Sequence, residues 1–271
     1  MKVEEAKQLT NKALEELVAA LESGHSEALT AYLKTMSLFS KYSLNNLFLI
    51  ARQRPDARRV AGFHTWQKLG RYVRKGEKGI AIIAPLVRRK SDEQSEHPDE
   101  ERLIAGFKVA HIFSEEQTDG EPLPELGTVT GDPSAYFERL TKYIAEQNIA
   151  LEYSDEIAPA KGMATRGKIT LLPGQAPAEL LATLAHETAH ALMHFSERRA
   201  ETTKRIRETE AEAVAFVICN AISLETGTAS ADYIGLYAGD AKLLTESLEH
   251  VQQTANRILT AIAPENLATP A

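Results

Sequence analysis

The chain has 271 residues, 43% hydrophobic and 25% charged, a globular composition that excludes wholesale disorder and a collagen-like rod and suggests two domains at about 150 residues each. No apolar run approaches the roughly 20 residues needed to span a bilayer. The start Met1-Lys2-Val3-Glu4-Glu5 lacks the apolar core of a signal peptide, and a single cysteine, Cys219, forms no internal disulfide, so a cytoplasmic protein is expected. The net charge of −7 hides a segregation: residues 41–90 hold 13 Lys+Arg against two acids, a net +11, while the remainder holds 18 basic and 36 acidic residues, a net −18.

Residues 3–21 carry leucines at 9, 14, 17 and 21, helical spacing. Ser26 is placed to cap a helix with Leu29, Tyr32, Leu33 and Met36, and Ser43 another that runs through Leu47 and Ile50 until Arg54-Pro55 stops it. Residues 79–84 and 104–113 read as strands, with the polar, acidic stretch 91–101 as a loose hairpin tip. The Gly- and Pro-rich run 118–133 reads as a connection. The domain reading is therefore 1–125, a linker at 126–134, and 135–271. In the second half, 134–147 reads as a helix, 168–172 as a strand and 177–195 as a helix opened by Pro177. A helix at 205–222 follows, and two more fill 230–262. The fold class expected is α+β, a helical and small-sheet module followed by a mainly helical domain.

His186-Glu187-Thr188-Ala189-His190 lies within the helix that begins at Pro177. Residues i and i+4 project from one face, so both imidazoles can hold zinc while Glu187 serves as general base for the water the metal activates. This acid and histidine content produces such a motif by chance about 0.03 times per chain, so it reads as chemistry. A catalytic zinc takes a third protein ligand. His194 continues the series, but three ligands on one helix would spread over about 12 Å of rise, so it is assigned a packing or supporting role. Of the downstream acids, Glu208 and Glu212 share a face. Glu210 heads a row with Val214, Val217 and Ala221 that packs inward, and a buried acid needs a partner. Glu210 is preferred, with Glu212 and then Glu208 as alternatives. Tyr233 and Tyr237 are candidate phenols for a developing oxyanion, although a place among ordinary core or surface aromatics accounts for them more simply. Cys219, in an apolar helix, reads as packing.

The basic segment interleaves its 13 cations with Tyr42, Phe48, Phe63, Trp66 and Tyr72. Single-stranded nucleic acid is bound by such a pairing, cations on phosphates and exposed rings on bases. Phe48 reads as core. Arg52, Trp66, Arg71, Tyr72, Arg74, Lys75 and Lys78 are the candidate DNA-binding residues.

Residues 184–194, Leu-Ala-His-Glu-Thr-Ala-His-Ala-Leu-Met-His, followed by Glu210-Ala211-Glu212-Ala213-Val214-Ala215-Phe216, resemble the ImmA/IrrE-type zinc metallopeptidases. That resemblance implies a zincin-like (gluzincin) domain, one Zn2+ per chain held by His186, His190 and Glu210, and a substrate strand before the metal helix, a place that residues 168–172 fit. Glu212 stands where that family often has Asn or Asp. The run Trp66…Gly70-Arg71…Val73…Lys75-Gly76-Glu77-Lys78-Gly79, with His111-Ile112-Phe113…Gln117-Thr118…Gly120…Pro122-Leu123-Pro124, resembles the N-terminal single-stranded-DNA-binding domain of ArdC-type antirestriction proteins. In that family the module precedes a metallopeptidase domain. The resemblance implies a cytoplasmic antirestriction protein of mobile elements that binds single-stranded DNA and hydrolyses a protein or peptide, with no membrane partner. The alternative is a non-enzymatic DNA-binding antirestriction protein with a structural or vestigial metal site.

Overall fold

The computed structural model describes residues 1–89, 102–121, 133–224 and 240–263. The chain divides into two compact units, one from residues 1–15 and 45–121, the other from residues 16–44 and the part beyond 132. Residues 16–44, grouped by sequence with the N-terminal module, thus count with the second unit. The first helix, α1 (Val3–Glu22), buries Ala6, Thr10, Ala13, Leu17 and Leu21, the stripe its spacing dictates.

The first unit is built on α3 (Leu44–Gln53) and a three-stranded antiparallel sheet. In that sheet β1 (Val60–Gly62) pairs with β4 (Arg102–Ser114), which pairs on its other side with β3 (Ile80–Arg89). The two strands expected at 79–84 and 104–113 are this long hairpin. Its register shifts between Leu86 and Val87, where β4 carries one extra residue before Gly106, whose φ of +154° suits glycine. Phe48, Leu49, Ile50, Ile80, Ile82 and Ile112 are buried. The outer edge of β3 meets α3. The Gln53 side-chain amide donates to the Ala81 carbonyl and accepts from its N–H, both at 2.9 Å, and Asn46 does the same for Ile83, again at 2.9 Å. A short helix, α4 (Phe63–Lys68), leads into β2 (Arg71–Val73), which pairs antiparallel with β5 (Thr118–Gly120). Residues 118–120, read as connection from their glycine and proline neighbours, are therefore strand. Residues 91–101 and the 126–132 part of the linker lie outside the described residues.

The second unit joins α2 (Glu27–Leu38), α5 (Pro133–Glu146), α6 (Pro177–Met193), α7 (Lys204–Ala221) and α8 (Ala241–Ile262) to a small mixed sheet. There β8 (Lys168–Leu171) lies between a parallel β6 (Ala150–Tyr153) and an antiparallel β7 (Gly162–Thr165). The strand that sequence offered as the substrate edge is thus central, and β7 is the edge next to α6. α7 packs on α2, α6 and α8. Its start is fixed by Thr203, whose hydroxyl accepts from the Ile206 N–H at 3.2 Å. Cys219 is buried in this packing, and burial pushes its thiol up to about 12, so it stays protonated. Of the two helices expected over 230–262, the described residues contain α8; residues 225–239, with Tyr233 and Tyr237, lie outside them.

Candidate metal centre

On α6 the i, i+4 spacing sets the two ring nitrogens facing each other, His186 Nε2 and His190 Nε2 being 3.1 Å apart. From α7, Glu208 Oε2 stands 3.4 Å from His190 Nε2 and 3.7 Å from His186 Nε2. Ligands around a tetrahedral ion with bonds of about 2.1 Å are separated by about 3.4 Å. The triangle therefore has the dimensions and the imidazole–imidazole–carboxylate chemistry of a divalent-metal site. Among the described residues, these three side chains form such a group. Glu208 is half exposed, which leaves this side of the site open to solvent.

Glu210, the expected third ligand, is occupied elsewhere. It is fully buried, as its place at the head of an apolar row demands, and its partners in the structure are Arg198 and His194. Arg198 donates to both of its oxygens, at 2.6 and 2.8 Å, and His194 Nε2 lies 2.9 Å from its Oε2. Burial opposes ionisation of Glu210, yet the bonds from His194, Arg198 and Ser247 hold its carboxyl at about 2. The partner that a buried acid needs is supplied here by Arg198, which arrives from a single 3-10 turn (Glu197–Ala200) that sequence periodicity cannot reveal. Glu212 takes a third position, its Oε2 3.4 Å from His186 Nδ1, on the far side of that ring from the triangle.

Glu187 points away from solvent, against β7. Burial pushes its carboxyl up; the His186 charge and the Ala164 backbone hydrogen bond work against this, and the Glu208 charge works with it. The approach of β7 depends on Gly162, where an added Cβ would lie 2.7 Å from Glu187 Cγ and 2.8 Å from its Oε1. Burial also opposes a charge on His186, but hydrogen bonds to Glu208 and Glu212 raise it to about 9. Burial and the neighbouring His186 bring His190 down to about 4. Hydrogen bonding to His186 leads the effects that hold Glu208 at about 2.

The basic segment sorts into structural and surface residues. Trp66 is 1% exposed and its Nε1 donates to the Phe113 carbonyl at 2.9 Å, so it is core and presents no face for stacking. Arg71 is 9% exposed and ties β2 to β5: it donates to the Thr118 hydroxyl at 2.8 Å, the Thr118 carbonyl at 3.0 Å and the Glu121 carbonyl at 2.6 Å. It has no free edge for a phosphate. Strand alternation then turns the next residue outward, and Tyr72 is 61% exposed. Arg52, Lys75 and Lys78 are exposed. Arg74 is exposed but paired with Glu77 at 3.0 Å and Asp119 at 3.3 Å. Phe63 is exposed as well.

Residues 4–113 match the family model for the N-terminal domain of anti-restriction factor ArdC. In fold the chain is similar to crystal structures of the antirestriction protein ArdC from plasmid R388 over 94% of its own length and 98% of theirs. The metal-free form gives a TM-score of 0.54 at 22% identity, and the Mn(II)-bound form 0.53 at 20%. The α+β class read from sequence is thus the class of that protein. A Bacillus anthracis protein described as uncharacterized is 23% identical over 304 residues, covering 96% of this chain and 51% of that protein. This chain spans about half the length of that relative.

Proposed function

We propose that this chain is an antirestriction-type protein that couples a single-stranded-DNA-binding module, residues 1–125, to a metal-dependent hydrolase domain of the peptidase type, residues 135–271. The observation that carries the second half is the convergence of His186, His190 and Glu208 beside Glu187. His186, His190 and Glu208 would hold one divalent ion, Zn2+ by the preference of such a donor set, with Mn(II) as the alternative that likeness to the Mn(II)-bound ArdC suggests. An ion bound there supplies a water of lowered pKa and polarises a carbonyl oxygen.

The protein's own residues do the proton work. Glu187, raised by burial yet partly held ionised by Ala164 and His186, is poised to accept a proton from the attacking water and return it to the leaving amine. The β7 edge lies beside it and offers backbone groups along which an extended peptide can align. Glu187 supports the hydrolytic reading over a structural ion, since a structural site has no use for a buried base. In the first module, Tyr72 is the stacking ring and Arg52, Lys75 and Lys78 the phosphate contacts, with Arg74 available once its acids are displaced.

The test is cleavage. Zinc- or manganese-loaded protein is incubated with casein and with host restriction subunits, with and without a single-stranded oligonucleotide. Metal-dependent cleavage that disappears in Glu187→Gln is expected. Equal protection of DNA from restriction in cells by wild type and Glu187→Gln would assign the biological role to DNA binding alone.

A further inference from the structure

Behind the metal triangle runs a continuous line of four side chains. His190 Nδ1 lies 2.8 Å from His194 Nδ1, His194 Nε2 lies 2.9 Å from Glu210 Oε2, and Glu210 is clamped by both terminal nitrogens of Arg198. The contacts at the Glu210 end have a forced direction, and with a neutral His194 the last one follows from them. Arginine only donates, so Glu210, facing two of its N–H groups, is the carboxylate, and a carboxylate only accepts. His194 Nε2 must therefore carry the hydrogen it shares with Glu210. In a neutral ring the other nitrogen is then a lone pair, so His194 Nδ1 accepts and His190 Nδ1 donates to it. This leaves the lone pair of His190 on Nε2, the atom aimed at His186 Nε2 and Glu208.

We infer that His194 and Glu210 are positioning residues that fix His190 in its Nδ1–H tautomer and so present Nε2 to the metal, a relay one residue longer than the carboxylate–histidine pairs that commonly orient metal-bound imidazoles. The inference rests on the reading of His186, His190 and Glu208 as ligands. It explains why Glu210 is buried at the foot of the site without touching the triangle, and why His194, one turn beyond the motif, is buried too. Free imidazole favours the Nε2–H form, so without the relay much of the protein would present the wrong atom.

Two measurements test it on the full chain. Long-range proton–nitrogen NMR of metal-free wild type, labelled at histidine, should show His190 Nδ1 as the protonated nitrogen and Nε2 as the bare one; a proton on Nε2 overturns the inference. Competition titration with Zn(II) against a chromophoric chelator should show His194→Phe binding 10–100-fold more weakly. His194→Asn, which restores an acceptor near the Nδ1 position, should recover most of the loss. Equal affinity in wild type and a folded His194→Phe overturns the inference while leaving the metal site intact. Wild type that takes up no Zn(II) sinks the ligand reading itself. Should His194→Phe fail to fold, the wild-type tautomer and His194→Asn still decide.

Discussion

Replacing Glu208 or Glu210 by alanine perturbs one helix at positions two residues apart, and the structure assigns the two changes opposite consequences. Glu208 is 51% exposed and its ion-pair contacts among the described residues are with the two histidines, so its loss should change metal-free stability by no more than about 0.5–1 kcal/mol. Glu210 is 0% exposed, and its removal strands the Arg198 guanidinium, itself 14% exposed, without a counter-charge. Breaking one partner out of a buried pair costs about 3–5 kcal/mol, or about 6–20 °C at 2–4 °C per kcal/mol. Metal binding adds its own signature. Zn(II) at 100 times its Kd stabilises the folded chain by about 2.7 kcal/mol, a rise of about 5–11 °C. Thermal denaturation with and without Zn(II) should show the full rise in wild type. Glu208→Ala should keep the metal-free midpoint and lose most of the rise, whereas Glu210→Ala should start many degrees lower and keep part of it. A Glu208→Ala protein with an undiminished rise would refute the ligand triangle, and a Glu210→Ala protein with a wild-type midpoint would refute the buried-pair account.

Acidity should tune the same site through His186. With His186 at about 9, His190 at about 4 and Glu208 at about 2, the metal-free site at neutral pH carries one proton that an ion must displace. Affinity should therefore rise about tenfold per pH unit from about 6 to 9, with about one proton released per ion, measured by titration in weak buffer; no proton release at pH 7 would count against it. Gly162→Ala should depress hydrolysis more than metal binding, because the new methyl group displaces Glu187 rather than a ligand, and equal cleavage rates at matched metal loading would argue against that placement. In the first unit, Trp66→Ala should cost about 3–5 kcal/mol of stability and leave the salt dependence of oligonucleotide binding unchanged. Tyr72→Ala should weaken binding by about 1–3 kcal/mol without destabilising the fold. With Arg52, Lys75 and Lys78 on phosphates, log K should fall with log salt at a slope near −2, at about 0.7 per contact, and Lys75→Ala or Lys78→Ala should each flatten it by that amount while Arg71→Ala should instead lower the melting midpoint.

Features carried by periodicity were legible in the sequence. The helices with apolar stripes and the β3–β4 hairpin fall where spacing put them, and His186 and His190 converge because i, i+4 is geometry, not context. Short pieces were not legible: β1, β2, β5, β6 and β7 have three or four residues each, too few for an alternation to declare itself; β1, β2, β5 and β6 exist because a strand distant in sequence supplies their partner, and β7 because a two-residue turn folds it onto β8. The same limit governs the site. Sequence shows that Glu210 faces inward but not that Arg198 waits there; it shows Trp66 and Arg71 in a cationic run but not that Phe113 and Thr118 claim them. The residue after Arg71 illustrates the difference, since one step along a strand separates an arginine locked into the structure from a tyrosine offered to solvent.

The two amides of α3 that bracket Ala81 and Ile83 reach further than the local hydrogen bonds suggest. A sheet can grow from its outermost strand only if that strand offers outward N–H and C=O groups in alternate positions. On β3 the outward positions in succession are 81, 83 and 85. The first two are occupied by Gln53 and Asn46, and the third is Pro85, which has no N–H to offer. A long apolar hairpin, the kind of element most prone to recruit a second copy of itself, is thereby closed to lateral addition along this stretch by three side chains drawn from two different elements. Protection against self-assembly is written into the same short helix that supplies the core with Leu47, Phe48 and Ile50.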